Sequence, residues 1–157
     1  MVVFFHGLES KVGGPKYKIL KDIYGEVYAP SMDYFKNKNL FNDVYNQLKN
    51  QKIDIISGSS MGGYFAYWMG KKLGVDTILF NPALPYRTTI EPNVDKSGNK
   101  KAKHHIILGS NDDIILPEDT LEWLDNNANP REYTIDWESF GHRTPIESFK
   151  KYFKFYG

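Results

Sequence analysis

The chain has 157 residues, 41% apolar and 25% charged, which is enough for one globular domain with its own core. A net charge of +1 gives no electrostatic basis for binding nucleic acid or anionic membranes, and the absence of cysteine excludes disulfides and thiolate chemistry. The short apolar run at the amino terminus predicts neither a signal peptide nor a membrane span, and hence a cytoplasmic protein without membrane insertion.

Short apolar runs, each closed by turn residues, recur along the chain and predict strands of a parallel sheet buried on both faces. They are Val2–Phe5, Ile53–Ile56, Thr77–Phe80, His105–Leu108 and Tyr133–Trp137, with Glu26–Tyr28 as a weaker sixth candidate. Because helical patterns alternate with these runs, the sequence predicts right-handed crossovers and a doubly wound α/β sheet.

Two helices are predicted within this alternation. Apolar residues recur at helical spacing over Leu40–Leu48, and Tyr64–Leu73 is apolar on nearly all sides, with Gly74 placed to end it. Residues 82–103 have no clear period and contain three prolines, and we interpret them as either a small lid or a flexible excursion. The whole chain, 1–157, is predicted to form a single domain.

The last helix has a clear start signal in the sequence. Thr144, Pro145 and Glu147 predict an N-cap, a proline at the first helical position and a capping-box partner. Its buried face is predicted to consist of Ile146, Phe149, Tyr152 and Phe153.

Three serines and three glycines lie in Ser57–Gly63, between a predicted strand and a predicted helix. Within this stretch, "GSSMG" has the G-x-S-x-G pattern of a nucleophile elbow, a strained turn that raises a serine above the sheet. The segments two residues before and after that serine approach so closely that they require glycine, and Ser60 is the serine flanked by Gly58 and Gly62. Ser60 is therefore predicted to be a nucleophile.

A serine nucleophile requires a base, which in elbow-containing proteins follows the serine and the acid in the chain. His142 has this order and lies in a glycine-containing loop after a predicted strand. His6 precedes Ser60, His104 is predicted to be solvated beside a lysine-rich segment, and His105 is predicted to be a hydrogen-bonded structural residue in its strand. His142 is therefore the predicted base.

The acid that orients the base is predicted to follow the strand at His105–Leu108. Asp112 is favoured, Asp113 is its immediate rival and Glu138 is a third candidate, because patterning does not separate positions one residue apart. The adjacent pairs of histidines and aspartates lack the spacing of a metal-ligand set, so no metal or other cofactor is predicted.

Two backbone N–H groups are predicted to stabilise the oxyanion. The first belongs to Met61 at the start of the helix, and the second to Leu8, with Gly7 as the alternative, in the loop after the first strand. The residues predicted to line the acyl site, from their closeness in sequence to these loops, are Gly7, Leu8, Tyr34, Met61, Ile115 and Phe140.

These residues resemble the α/β-hydrolase superfamily, and more narrowly its compact bacterial branch of YqiA-like esterases. The matching stretches are "FFHGLES", "YAPSMDY", "GSSMGGYFA", "LFNPAL", "GSNDD" and "GHR", which extend from Phe4 to Arg143. The resemblance implies a compact fold with a mostly parallel six-stranded sheet, helices on both faces, little or no cap domain, and serine-hydrolase chemistry. Residues 87–103 match no pattern of the branch.

The sequence therefore predicts a serine hydrolase that cleaves a small-molecule carboxylic ester or thioester through an acyl-enzyme on Ser60. Two other interpretations stay open. One is a binding or interaction protein with the hydrolase fold and vestigial activity, and the other is a peptidase or acyltransferase with the same triad. No nucleic-acid partner is predicted, and the sequence does not indicate an oligomeric state.

Overall fold

The computed structural model describes residues 1–8, 10–86, 90–95 and 101–154. The strands are β1 (Val2–Phe5), β2 (Val27–Tyr28), β3 (Ile55–Ser59), β4 (Thr77–Phe80), β5 (His104–Gly109) and β6 (Tyr133–Glu138). The α-helices in these ranges are α1 (Pro15–Tyr24), α2 (Leu40–Leu48), α3 (Met61–Leu73), α4 (Pro117–Asn127) and α5 (Ile146–Phe153). The strands form one sheet in the order β2-β1-β3-β4-β5-β6, with every pairing parallel. The predicted α/β-hydrolase architecture is confirmed.

The sheet is buried because successive side chains of its strands enter two different cores. In β1, Val3 and Phe5 pack with α2, α3 and α4, whereas Val2 and Phe4 pack with α1 and α5. Helices therefore cover both faces, and the loops after the strands meet at the carboxyl edge of the sheet.

All six predicted strands are present, but four have different bounds. β2 begins at Val27 rather than Glu26, and β6 continues to Glu138 rather than ending at Trp137. β3 begins at Ile55 rather than Ile53 and continues through the serine and glycine residues that follow Ile56. Although these residues are small and polar, Ser57 and Gly58 pair with β1 in register. β5 is longer than predicted at both ends and includes His104.

The start of the last helix corrects one prediction. α5 begins at Ile146, with Pro145 before it, and Thr144 makes no capping hydrogen bond because its hydroxyl is buried without a partner among the described residues. Ile146 was predicted to be buried but is 38% exposed, as the first residue of the helix. Phe149, Tyr152 and Phe153 form the buried face as predicted.

Two helices were not predicted. α1 and α4 each begin with a proline, at Pro15 and Pro117, which is the usual position for proline in a first turn. Each buries few apolar side chains, so its helical period is weak in the sequence. Within the described residues, no helix is both long and apolar enough to span a bilayer.

The segment 82–103 is described only in part. Leu84 and Ile90 are buried and belong to the core on the side of α2 and α3. Residues 87–89 and 96–100 lie outside the described residues, so the interpretation of the segment as a lid stays a prediction.

Candidate active site

The turn between β3 and α3 is shaped by contacts between backbone atoms. Ser60 has a φ of +55°, a strained conformation for a residue with a side chain. A Cβ added to Gly58 would lie 2.1 Å from the carbonyl oxygen of Gly62, and one added to Gly62 would lie 2.0 Å from that of Phe5. No side chain fits at either glycine, so the turn has the tightness expected of a nucleophile elbow.

Hydrogen bonds from the neighbouring segment hold Ser60 in this conformation. Its N–H donates to the carbonyl of Phe80 at 3.0 Å, and its own carbonyl accepts from the N–H of Ala83 at 2.9 Å. Within the described part of the chain, its hydroxyl forms no hydrogen bond. The backbone of Ser60 is therefore fixed while its Oγ stays available for another group.

His142 and Asp112 come together at the same edge of the sheet, from the loops after β6 and β5. The Nδ1 atom of His142 lies 3.0 and 3.2 Å from the two carboxylate oxygens of Asp112. The Asp112 side chain is fully buried, and one of its oxygens accepts the N–H groups of Ile114 and Ile115 at 2.9 Å. Because an ionised carboxylate only accepts, Nδ1–H is the donor and Nε2 is left as the basic nitrogen.

The two rival acids lie elsewhere. Asp113 is exposed, and no described residue donates a hydrogen bond to its carboxylate. The Glu138 carboxylate accepts hydrogen bonds from Lys151 and Tyr152, which lower its pKa. Of the three candidates, only Asp112 contacts His142 within the ranges that the structure describes.

Asn81, for which no role was predicted, connects these loops. It is buried at the end of β4 with a φ of +42°, and only Ser60 shares a positive φ among the described non-glycine residues. Its Oδ1 accepts the N–H of Gly109 at 2.7 Å, and its Nδ2 donates to the carbonyls of Gly141 and His142 at 3.0 Å. A polar residue directly after a buried strand, in the stretch "LFNPAL", was the sequence signal.

The loop after β1 is held by His6, which the sequence analysis set aside. The backbone N–H of Met32 donates to Nε2 of His6 at 3.1 Å, so Nδ1 carries the proton and donates to the carbonyl of Gly7 at 2.7 Å. The peptide is planar and trans, so this bond turns the N–H of Leu8 away from the His6 ring. Within the described residues, that N–H has no hydrogen-bond acceptor. Met61, as the first residue of α3, also has no acceptor in its own helix.

The residues predicted to line the acyl site differ in how deeply they are buried. Tyr34 is 4% exposed and its hydroxyl donates to the carbonyl of His6, so it supports the first loop from inside the protein. Ile115 is buried, whereas its neighbour Ile114 is exposed. Phe140 is half-buried and packs against the backbone of Gly109.

Two histidines, His104 and His105, lie outside the site in β5. His104 was predicted to be solvated, but it is 1% exposed, because β5 begins one residue earlier than expected and turns this ring into the protein. His105 is hydrogen-bonded to Asp136 at 2.8 Å, in agreement with its predicted structural role. Across the described ranges, no group of three or more histidine, cysteine or acidic residues is arranged to hold a metal ion.

Comparisons with known proteins assign the sequence to a family. The model of UPF0227, described as an uncharacterised protein family, matches residues 1–128. A UPF0227 protein of Shewanella woodyi is 27% identical over 183 residues, which cover 96% of this chain and 99% of the relative.

Solved structures share the fold at low sequence identity. The monoacylglycerol lipase of Paleococcus ferrophilus is 13% identical with a TM-score of 0.69, over 99% of this chain and 94% of that one. The mouse alpha/beta hydrolase domain-containing protein 10 is 12% identical with a TM-score of 0.70, over 96% and 85%. A Xanthomonas campestris protein described as a serine hydrolase without a lid is 13% identical with a TM-score of 0.61, over 99% and 80%. The chain belongs to the UPF0227 family, the YqiA-like branch that its sequence resembles, and has the α/β-hydrolase fold.

Proposed function

We propose that this protein is a serine hydrolase that cleaves a carboxylic ester or thioester with Ser60, His142 and Asp112. One observation carries the proposal: a buried carboxylate orients a histidine at the edge of the sheet where the strained Ser60 turn lies. The two parts are linked through adjacent residues, because Phe80 accepts the N–H of Ser60 while Asn81 donates to the carbonyl of His142.

The reaction follows from this arrangement. Oγ of Ser60 attacks the carbonyl carbon while Nε2 of His142 takes its proton, and the Asp112 carboxylate stabilises the resulting imidazolium. The N–H groups of Met61 and Leu8 donate to the oxyanion. Collapse of the intermediate breaks the bond to the alcohol or thiol, which leaves with the proton from Nε2, and water then releases the acyl group by the same steps.

The surroundings of the site support an organic substrate with apolar parts. The loops after β1, β2, β4 and β5 carry exposed apolar or aromatic side chains: Leu8, Phe35, Tyr86, Ile114 and Leu116. Exposed apolar side chains grouped at one edge of a fold are typical of a ligand-binding region. The lipase and the serine hydrolase among the structural neighbours add support by analogy of fold.

A fluorophosphonate probe tests the proposal. We expect it to label the native protein and not Ser60→Ala, while Ser110→Ala, an exposed serine in the Asp112 loop, is labelled like the native protein. A folded native protein that stays unlabelled would support a binding protein with vestigial activity. Parallel assays with p-nitrophenyl esters, peptide anilides and acyl transfer to an added alcohol distinguish an esterase from a peptidase or acyltransferase.

A further inference from the structure

A cavity of about 380 Å³ borders the Ser60 turn. It lies between the loop after β1 and the start of α5, with Gly7 and Ser59 in its wall. A Cβ added to Gly7 would lie 3.6 Å from the Cβ of Ser60, so this wall is in direct contact with the nucleophile residue. Its volume is within the range of small-molecule sites.

The wall of the cavity is apolar with one basic side. Phe4, Val12, Tyr17, Ala29 and Ile146 provide apolar surface, while Lys11 and Lys16 also line it. No aspartate or glutamate is among its described lining residues. The described lining therefore combines an apolar surface with two lysines and no acidic residue.

Lys16 is the informative member of this lining. Desolvation by burial lowers the pKa of its ammonium group to about 8, and Nζ lies 5.5 Å from the centre of the Phe149 ring. Among the described residues no carboxylate lies within 4 Å of Nζ, whereas the exposed Lys151 pairs with Glu138 at 2.7 Å. The Phe149 ring provides one favourable contact, but a partly buried ammonium without a carboxylate among the described residues gains further stabilisation from a ligand that supplies negative charge.

We propose that this cavity receives a carboxylate carried by the acyl part of the substrate, with Lys16 as its counter-ion. The proposal rests on the proposed function and narrows its substrate class to monoesters or monothioesters of short dicarboxylic acids. The aliphatic segment between the two carboxyl groups lies along the apolar wall. The scissile carbonyl then lies at Ser60, and the distal carboxylate at Lys16.

The first experiment compares matched substrates on the unmodified protein. Mono-p-nitrophenyl esters of C4 to C8 dicarboxylic acids are compared with the same compounds methylated at the distal carboxylate, which have nearly the same size and no charge. We expect kcat/KM to favour the anionic compounds by about 10- to 100-fold at the best chain length, as a charge-assisted hydrogen bond provides. An equal or lower value for the anionic compounds at every length would overturn the proposal.

The second experiment assigns the preference to Lys16. Lys16→Met should remove the preference while leaving kcat/KM for the methylated compounds within about threefold, and Lys16→Arg should restore part of it. Lys18→Met, which changes an exposed lysine of the same helix, should keep the full preference. Equal losses on both substrate series would show that Lys16 is only structural and would contradict the proposal.

A binding measurement separates this inference from the proposed function. Titration calorimetry with glutarate and adipate should show binding to Ser60→Ala and at least about tenfold weaker binding to the Ser60→Ala/Lys16→Met double variant. If these acids bind but no ester is cleaved, the cavity assignment stands and the hydrolase proposal fails. If methylated esters are cleaved without discrimination and neither acid binds, the hydrolase stands and the cavity assignment fails.

Discussion

His104 and His142 lie at opposite ends of the sheet, and each has a polar partner from a neighbouring segment. His104 is buried at the amino end of β5, where Nδ1 lies 2.9 Å from the hydroxyl of Thr77 and the ring packs on Tyr67. His142 follows β6 at the carboxyl edge, where its side chain is 24% exposed and contacts the Asp112 carboxylate. The two sites differ in the charge of the partner and in access to water.

This difference separates a structural histidine from one suited to acid–base chemistry. Burial, with a smaller contribution from the charge of Lys71, lowers the pKa of His104 to about 3, so this ring stays neutral in the folded protein. A hydroxyl does not compensate an imidazolium, whereas the Asp112 carboxylate does. Changes at the carboxyl edge should therefore affect turnover, and changes at the amino edge should affect stability.

The largest effect is expected for Asp112→Asn. It removes the charge that stabilises the imidazolium and favours the wrong tautomer of His142, so we expect kcat to fall by about 10⁴-fold, as for analogous changes in serine proteases. Steady-state ester hydrolysis measures the loss. Asp113→Asn is the control and should change kcat by less than about twofold. Similar losses for both variants would contradict the assignment of the acid.

Gly62→Ala and Gly70→Ala compare the effect of an added methyl group at the carboxyl end and at the amino end of the sheet. The added Cβ at Gly62 would overlap the backbone oxygen of Phe5, so we expect the free energy of unfolding to fall by at least about 3 kcal/mol. We also expect the activity to be lost, because the turn that carries Ser60 is displaced.

At Gly70, beside His104, the added Cβ would lie 2.4 Å from a methyl group of Thr77. There we expect lower stability but normal turnover per folded molecule. Urea denaturation and active-site titration measure the two quantities. A Gly62→Ala protein with native stability would contradict the elbow geometry.

Asn81→Gly tests how the His142 loop is positioned. Glycine tolerates the φ of +42° but removes the amide that holds Gly109, Gly141 and His142. We expect kcat to fall by about 10- to 100-fold with KM little changed, since the base loses its position rather than its chemistry. Thr77→Val, which removes the partner of His104, is the matched change at the amino edge and should leave kcat unchanged.

The smallest expected effect is the contribution of His104 to the free energy of unfolding at acidic pH. Below pH 6.5 the unfolded chain protonates His104, whereas the folded protein does not until the pH approaches 3, so the free energy of unfolding decreases as the pH falls through this window. From pH 7 to 5.5 the contribution is about 1 kcal/mol. Urea denaturation at each pH should show that the free energy of unfolding of His104→Phe decreases less than that of the native protein. An identical pH dependence in both proteins would disprove the assignment to His104.

The sequence predicted those features that depend on local patterns. Buried strands, the glycines around Ser60 and the helix that ends at Gly74 each follow from short-range periodicity or from the conformational needs of one turn. Asp112 was preferred over Asp113, and the contact with His142 involves Asp112. The catalytic roles of these residues stay proposals.

Features that depend on distant contacts were missed. His104 is surrounded by Thr77 and Tyr67, which are far away in the sequence, and the adjacent lysines suggested a solvated loop instead. The roles of His6 and Asn81 arise from hydrogen bonds to other loops, which no local pattern indicates. Thr144 failed as a cap because tertiary packing buried its hydroxyl and moved the helix start by one residue.

The close approach of Gly62 to the carbonyl of Phe5 has a practical consequence for engineering. Main-chain contacts, rather than interchangeable side chains, set the position of the turn relative to the first strand. Combinatorial libraries at Val12, Tyr17 and Ile146 would therefore change the wall of the proposed acid-binding cavity without altering these main-chain contacts. This separation makes the small scaffold a good starting point for directed evolution.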